Sequence, residues 1–383
     1  MTCDLITALR ALLPASVLLV SACGSSGGGD NGGGVSTLEP TPSLPETVSV
    51  APENTSDGWT PSSPAAEGMD PDALLAALAS IRDGAYPAVD SAVVVRHGRL
   101  VAEGYFNGYG RESLHDLRST GKSFTSALAG IAIDQGLITL DEPISQLIPQ
   151  FENHAHMDDR KRAITIFHLL NMNSGLDCND SVPASPGNEE HMYRTQDWVG
   201  FILDLPMIDN PGSTAAYCTG GVIVLGHVVS LRTGVALDDY ANTYLFGPLG
   251  IRQSRWRRSP DGRATGGGGL WLVPRDMAKF GAMYLNGGTW NGTRVVPEAW
   301  VTQSRQRIDA IGNDGYGFLW WKRSFSRGAQ SVDSFFTSGN GGNFIFVLPD
   351  LDLVVVFTGS NYDSKLSNQP FEILSDRILP AVR

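Results

Sequence analysis

The sequence predicts an α+β fold: one antiparallel sheet flanked by helices, together with a helical subdomain. Two observations carry this reading. Strand pairs stand near both ends of the folded region, and the stretch between them has mainly helical spacing. Folding is expected to begin near Pro64. Asp70 followed by Pro71 is a helix start, an N-cap ahead of a first-turn proline, and "DALLAALASIRD" continues with helical periodicity. "SAVVVRHGRLVAEGYF" reads as two strands joined at His97-Gly98. From "STGKSFTSALAGIAIDQG" to "TGGVIVLGHVVSLRTG" the chain looks helical. "NFIFVLPDLDLVVVFTG" is a second strand pair turning at Pro349-Asp350, and a last helix follows Pro370. The sheet is therefore assigned to about 64–115 and 262–383, and the helical part to about 116–261. No internal repeat is visible.

The chain has 383 residues, 28 Lys+Arg against 40 Asp+Glu, a formal net charge of −12 and 42% hydrophobic residues. That apolar content can bury a core, which excludes wholesale disorder. The acidic balance argues against nucleic acid as a partner, since phosphate binding needs a concentrated basic footprint.

Residues 5–22 are apolar but interrupted by Arg10 and Pro14, short of the ~20 apolar residues that a spanning helix needs. They end in small residues before Cys23, like a cleaved signal peptide, and "LVSAC" resembles a bacterial lipobox. Residues 1–22 are thus expected to be a signal peptide and Cys23 a lipidated residue. An uncleaved anchor is the alternative. Residues 23–63, rich in Gly and then in Pro, Ser and Thr, read as a flexible tether, and 64–383 as the folded domain. The expected setting is the periplasm or cell exterior, with the membrane reached through the lipid. Cys178 and Cys218 are then the cysteines left over, and in an oxidising compartment they suggest a disulfide; two buried free thiols are the alternative.

Chemistry is expected first in "RSTGKSFTSALAGIAIDQG". Ser119 and Lys122, three apart at a helix start, share a face. Lys122 is the only charge between Thr120 and Ile133, and none of the other four lysines has a serine three residues earlier. Burial and the helix dipole should lower the amine's pKa, making it a general base beside a nucleophile. The bland reading is a serine cap beside a lysine that reaches solvent. Gly-x-Ser-x-Gly occurs only around Ser26 in the tether, without the strand and helix that such an elbow requires. His154 and His156 lack metal-ligand spacing, and His168 reads as a packed helix residue, so neither a metal nor a cofactor is expected.

A second segment, "PGSTAAYCTGGVIVLGHVVS", places Tyr217 just before a helix with Thr219 as its N-cap. A lone tyrosine is usually packing, yet a lysine–serine pair needs a second proton carrier. The third segment is "FFTSGNGGNFIFVLP", whose glycines allow close approach of backbone to a ligand, or simply make a turn.

In this order the three segments resemble the penicillin-recognising serine hydrolases: class C β-lactamases, DD-peptidases, family VIII carboxylesterases and 6-aminohexanoate-dimer hydrolases. The likeness runs from about Pro64 to the end and includes "GGGLWLVPRDMAKFGAMYLNGGTWNGTRVVPEAWV". It implies a β-lactamase/DD-peptidase-like fold. It also implies Ser119 as the acylated nucleophile, Lys122 as its base, Tyr217 as proton shuttle, and backbone N–H groups of Ser119 and Asn340 as the oxyanion hole. Tyr217-Cys218-Thr219 stands where β-lactamases carry Tyr-x-Asn, and Thr337-Ser338-Gly339 where they carry Lys-Thr-Gly. The missing amide and lysine would have held a β-lactam drug. The departures favour a carboxylesterase; the rivals are an amidase on short amide oligomers, then a β-lactamase or DD-peptidase, then a non-catalytic penicillin-binding-like receptor. Thr219, Ser338, Gly339, Tyr193 and Trp320 are further candidates for substrate contact, although packing or a plain loop role explains Tyr193 better, and a core role explains Trp320 and its neighbour Trp321 equally well.

Overall fold

The structure, a computed structural model, describes residues 46–383. The signal peptide, Cys23 and most of the tether fall on residues 1–45 and lie outside the described residues.

The expected start near Pro64 is too late. Strand β1 (Thr47–Ser49) pairs with β3 (Arg99–Tyr105). Trp59 is buried, and its indole N–H donates to the Arg275 carbonyl at 3.1 Å. The tether-like composition concealed a short edge strand and one aromatic anchor.

Helix α1 (Pro71–Arg82) is capped by the Asp70 carboxylate, which accepts from the amides of Asp72 and Ala73. Strand β2 (Ser91–Arg96) meets β3 in a hairpin at His97 and Gly98, both with positive φ, the twist that two-residue hairpin turns require. Four strands follow that the sequence pattern did not reveal: β4 (Asp309–Ile311), β5 (Asp314–Gly317), β6 (Trp320–Arg327) and β7 (Gln330–Gly339). The second strand pair is β8 (Asn343–Leu348) and β9 (Leu353–Thr358), joined through Pro349–Leu351. All nine form one antiparallel sheet in the order β1-β3-β2-β9-β8-β7-β6-β5-β4. The β2–β9 pairing joins the two ends of the folded chain.

Both faces of this sheet are covered, so alternate residues of one strand serve two cores. Val93 and Val95 of β2 pack with helix α2 (Gly121–Asp134) and helix α4 (Pro274–Leu285). Ala92 and Val94 pack with α1 and the C-terminal helical segment 369–381. Between α2 and α4 the chain is mainly helical, including α3 (Thr219–Thr233), and a three-stranded sheet sits beside it (His115–Asp116, Leu270–Leu272, Arg255–Trp256). Every residue of α2 from Gly121 to Ala132 is buried, which makes it a central helix with no solvent face.

Candidate active site

Ser119 lies in a single 3-10 turn (Arg118–Thr120) that runs directly into α2. Lys122, one turn on, is 1% exposed. Its Nζ donates to Ser119 Oγ at 2.8 Å and to the Gly267 carbonyl at 2.5 Å. Among the described residues it forms no ion pair. A buried amine whose side-chain partner is a serine hydroxyl is equipped to exchange a proton with that hydroxyl.

Two contacts tie the nucleophile's turn to the strand end beside it. A side chain at Gly339 would place its Cβ 2.1 Å from the Leu117 carbonyl, so only glycine lets β7 come this close. Thr120 Oγ1 donates to the Asn343 carbonyl at 2.8 Å. Asn343, fully buried, donates from Nδ2 to the carbonyls of Asn340 (3.0 Å) and Gly359 (3.1 Å). Asn340 itself donates from Nδ2 to Asp363 at 2.7 Å. The loop after β7 is thus braced from both sides, and Asn340 and Ser119 line one cleft of about 130 Å³.

Tyr217 stands just before α3. Its ring centre is 5.0 Å from Lys122 Nζ, and it stacks against Trp321 at 5.7 Å. Lys122 thus stands between the other two, hydrogen-bonded to Ser119 and beside the Tyr217 ring. The Cys178–Cys218 disulfide, with Cα atoms 5.5 Å apart, fastens the following insert to this loop. Asp180 adds a second fastening: its amide donates to the Tyr217 carbonyl at 2.8 Å, and its carboxylate accepts from the amides of Thr219 (2.6 Å) and Glu189 (2.9 Å). Burial pushes the Asp180 carboxyl upward, Glu189 adds to this, and Lys122 opposes it.

A larger cavity of about 560 Å³ lies elsewhere, beside the buried Arg275–Glu103 ion pair, and none of the three residues lines it. Size does not locate the chemistry here. Among the described residues no group of three or more His, Cys, Asp or Glu is placed to hold a metal.

The β-lactamase family model matches residues 77–371, which takes in strands β2 to β9, the helical part and the cleft. The chain belongs to the β-lactamase family.

Among its relatives is the 6-aminohexanoate-dimer hydrolase of Paenarthrobacter ureafaciens, 26% identical over 290 residues, covering 70% of this chain and 71% of that protein. Two solved structures share the fold. EstCE1, described as a hydrolase with promiscuous acyltransferase activity, superposes with a TM-score of 0.65 at 19% identity, over 82% of this chain and 100% of its own. A D-stereospecific amidohydrolase from Streptomyces sp. gives 0.59 at 20% identity, over 79% and 98%.

Within this β-lactamase-family cleft, not every residue named from sequence faces the opening. Thr219 is 1% exposed and does not cap α3; Cys218 does, its Sγ accepting from the Gly221 amide at 3.3 Å. Thr219 stands behind Gly267, whose added Cβ would meet its methyl at 2.7 Å, so it is corrected from substrate contact to packing. Trp320 is likewise corrected: it is fully buried and stacks on Phe280, while Trp321 turns toward Tyr217. Ser338 is partly buried and pairs with Phe344 across the strands. Tyr193 does line the cleft, with its hydroxyl donating to Glu189 at 2.8 Å. Burial and Glu189 raise that hydroxyl's pKa well above its ordinary value. His168 Nδ1 accepts from the Thr165 amide and so caps the short helix Ile166–Leu170. Sequence reasoning missed Asn343, Asp180, Glu189 and Arg257. No local pattern marks them, because the fold alone brings Glu189 and Arg257 to the cleft and sets Asn343 and Asp180 to hold the Asn340 and Tyr217 loops.

Proposed function

We propose that the chain is a carboxylesterase working through an acyl-enzyme on Ser119. The observation that carries this is the buried Lys122 amine held 2.8 Å from Ser119 Oγ. Proton transfer along that contact frees the hydroxyl oxygen to attack an ester carbonyl. The resulting oxyanion is received by the backbone N–H groups of Ser119 and Asn340, which the Gly339 approach and the Asn343 brace hold together. Tyr217, beside Lys122, hands a proton to the leaving alkoxide and then takes one from the water that releases the acid. The choice of ester rests on Thr337-Ser338-Gly339 and Tyr217-Cys218-Thr219, which lack the lysine and amide that would hold a β-lactam. An oxidising compartment outside the cytoplasm, reached by a lipid anchor on Cys23, is the proposed setting, and the Cys178–Cys218 disulfide supports it.

A second reading, an amidase on short amide oligomers, is favoured by the 6-aminohexanoate-dimer hydrolase relative, which covers 70% of the chain. The test is turnover of p-nitrophenyl esters of graded chain length, a chromogenic cephalosporin and linear amide oligomers, with Ser119→Ala beside the wild type. Ester turnover that vanishes in Ser119→Ala is expected. Ester turnover surviving that substitution removes the mechanism, and faster turnover of amide oligomers transfers the assignment to the amidase.

A further inference from the structure

We propose that Arg257 binds a carboxylate carried by the substrate, so that the preferred ester or amide is a monoanion. The inference rests on the Ser119 hydrolase reading and names its substrate class. Arg257 follows the short strand Arg255–Trp256; its amide donates to the Gly269 carbonyl at 2.6 Å, and its carbonyl accepts from the Thr265 amide at 3.0 Å. The Arg257 stem passes over Gly269, where an added Cβ would lie 2.5 Å from that of Arg257. The guanidinium rests 4.2 Å from the centre of the Tyr193 ring and 5.2 Å from that of Trp198. Two aromatic faces fix the plane of the cation and leave its N–H edge free.

Arg257 and Ser119 line the same cleft, with Gly268 between them; an added Cβ at Gly268 would lie 3.8 Å from the Ser119 amide. Among the described residues no carboxylate lies within 4 Å of the Arg257 guanidinium. The other charges that line the cleft are engaged by protein partners or, for Glu190, exposed to solvent. Asp116 pairs with Arg118 at 3.1 Å and acts on Arg257 only at longer range. Glu189 accepts from Tyr193, Asp363 accepts from Asn340, and Glu190 is exposed. A planar guanidinium without a protein counter-ion, oriented beside a nucleophile, is built for bidentate recognition of a carboxylate. It occupies a different element from the closing strand, where the Lys-Thr-Gly lysine is absent. Four carboxylates around the cleft disfavour a polyanion, which is why a single negative charge is inferred.

The test compares the mono-p-nitrophenyl ester of adipic acid with the same ester capped as its methyl ester, in wild type, Arg257→Gln and Arg257→Lys. The wild type should prefer the free acid by about 10–100-fold in kcat/KM, mostly through KM, as a hydrogen-bonded charge pair would give. That ratio should fall toward one in Arg257→Gln and recover in part in Arg257→Lys. A wild-type ratio near one, or one unchanged in Arg257→Gln, overturns the proposal. Calorimetric binding of the free-acid ester to Ser119→Ala and to the Ser119→Ala/Arg257→Gln pair separates the two ideas. Binding that depends on Arg257 without ester turnover in the wild type keeps the carboxylate site and removes the esterase; ester turnover without preference does the reverse.

Discussion

Lys122 Nζ shares its hydrogen bonds between Ser119 Oγ at 2.8 Å and the Gly267 carbonyl at 2.5 Å. The carbonyl holds the amine in place, and the hydroxyl is the group it can act upon. Lys122→Met should therefore lower kcat on a p-nitrophenyl ester by about 10²–10⁴-fold, the range for loss of a positioned base. Lys122→Arg should not restore it, because a guanidinium does not give up its proton. Intact-protein mass spectrometry after mixing with substrate should show an acyl adduct in the wild type and none in Ser119→Ala. Full activity in Lys122→Arg would show that the amine acts only as a fixed charge.

Gly339 lets β7 meet the turn of the nucleophile. Gly339→Ala would put a methyl group 2.1 Å from the Leu117 carbonyl, a backbone atom that cannot swing aside. The strand end must move, and with it the Asn340 amide. We expect kcat to drop by about 10²-fold or more, as for loss of an oxyanion donor, with overpacking costing about 1–3 kcal/mol of stability. Steady-state kinetics beside a urea melt checks both; wild-type kcat in a folded Gly339→Ala would mean that Asn340 does not serve the oxyanion.

Much of the fold was legible because its signals are local. The α1 cap at Asp70-Pro71, the β2–β3 turn at His97-Gly98 and the β8–β9 pair each lie within a few residues of sequence. Ser119 and Lys122 were legible for the same reason, since three residues along a helix fix them on one face. The half of the sheet from β4 to β7 was not. Its strands mix Lys, Arg, Asp and Gly with aromatic residues, as in "WWKRSFSR", and their pairing is set by tertiary contact. Trp320 and Trp321 show the limit most plainly: adjacent residues of one strand face opposite ways, and only the register sends one to Phe280 and the other to Tyr217. Trp59 was hidden in a segment whose composition reads as a tether.

The Cys178–Cys218 disulfide closes a loop with a sequence separation of 40 residues, and that loop carries Glu189 and Tyr193 to the cleft. On the chain-entropy model a loop of this size contributes about 4 kcal/mol to stability. A Cys178→Ala/Cys218→Ala variant should melt lower than the oxidised wild type. It should also show a raised KM, because the segment bearing Glu189 and Tyr193 then keeps the Asp180 hydrogen bonds but loses its covalent fastening. Calorimetry before and after a mild reductant provides the comparison; an unchanged melting temperature would mean that those hydrogen bonds alone hold the loop.

His115 links stability to pH. It is 4% exposed, stacks on Tyr109 at 4.5 Å, and places Nε2 3.3 Å from Thr358 Oγ1. Burial pushes its pKa from 6.5 down to about 3. Between those values the unfolded chain binds a proton that the folded chain refuses. Stability from this group is therefore complete above pH 6.5 and falls as the pH drops toward 3, by about 1.4 kcal/mol per unit. A His115→Gln variant loses this term while keeping a polar group near Thr358. It should be less stable than the wild type at pH 7 through lost stacking, and the gap should close as the pH is lowered. Urea unfolding at pH 7, 6, 5 and 4 gives the two slopes. Parallel slopes would show that the folded protein takes up the proton on His115 as readily as the unfolded chain does.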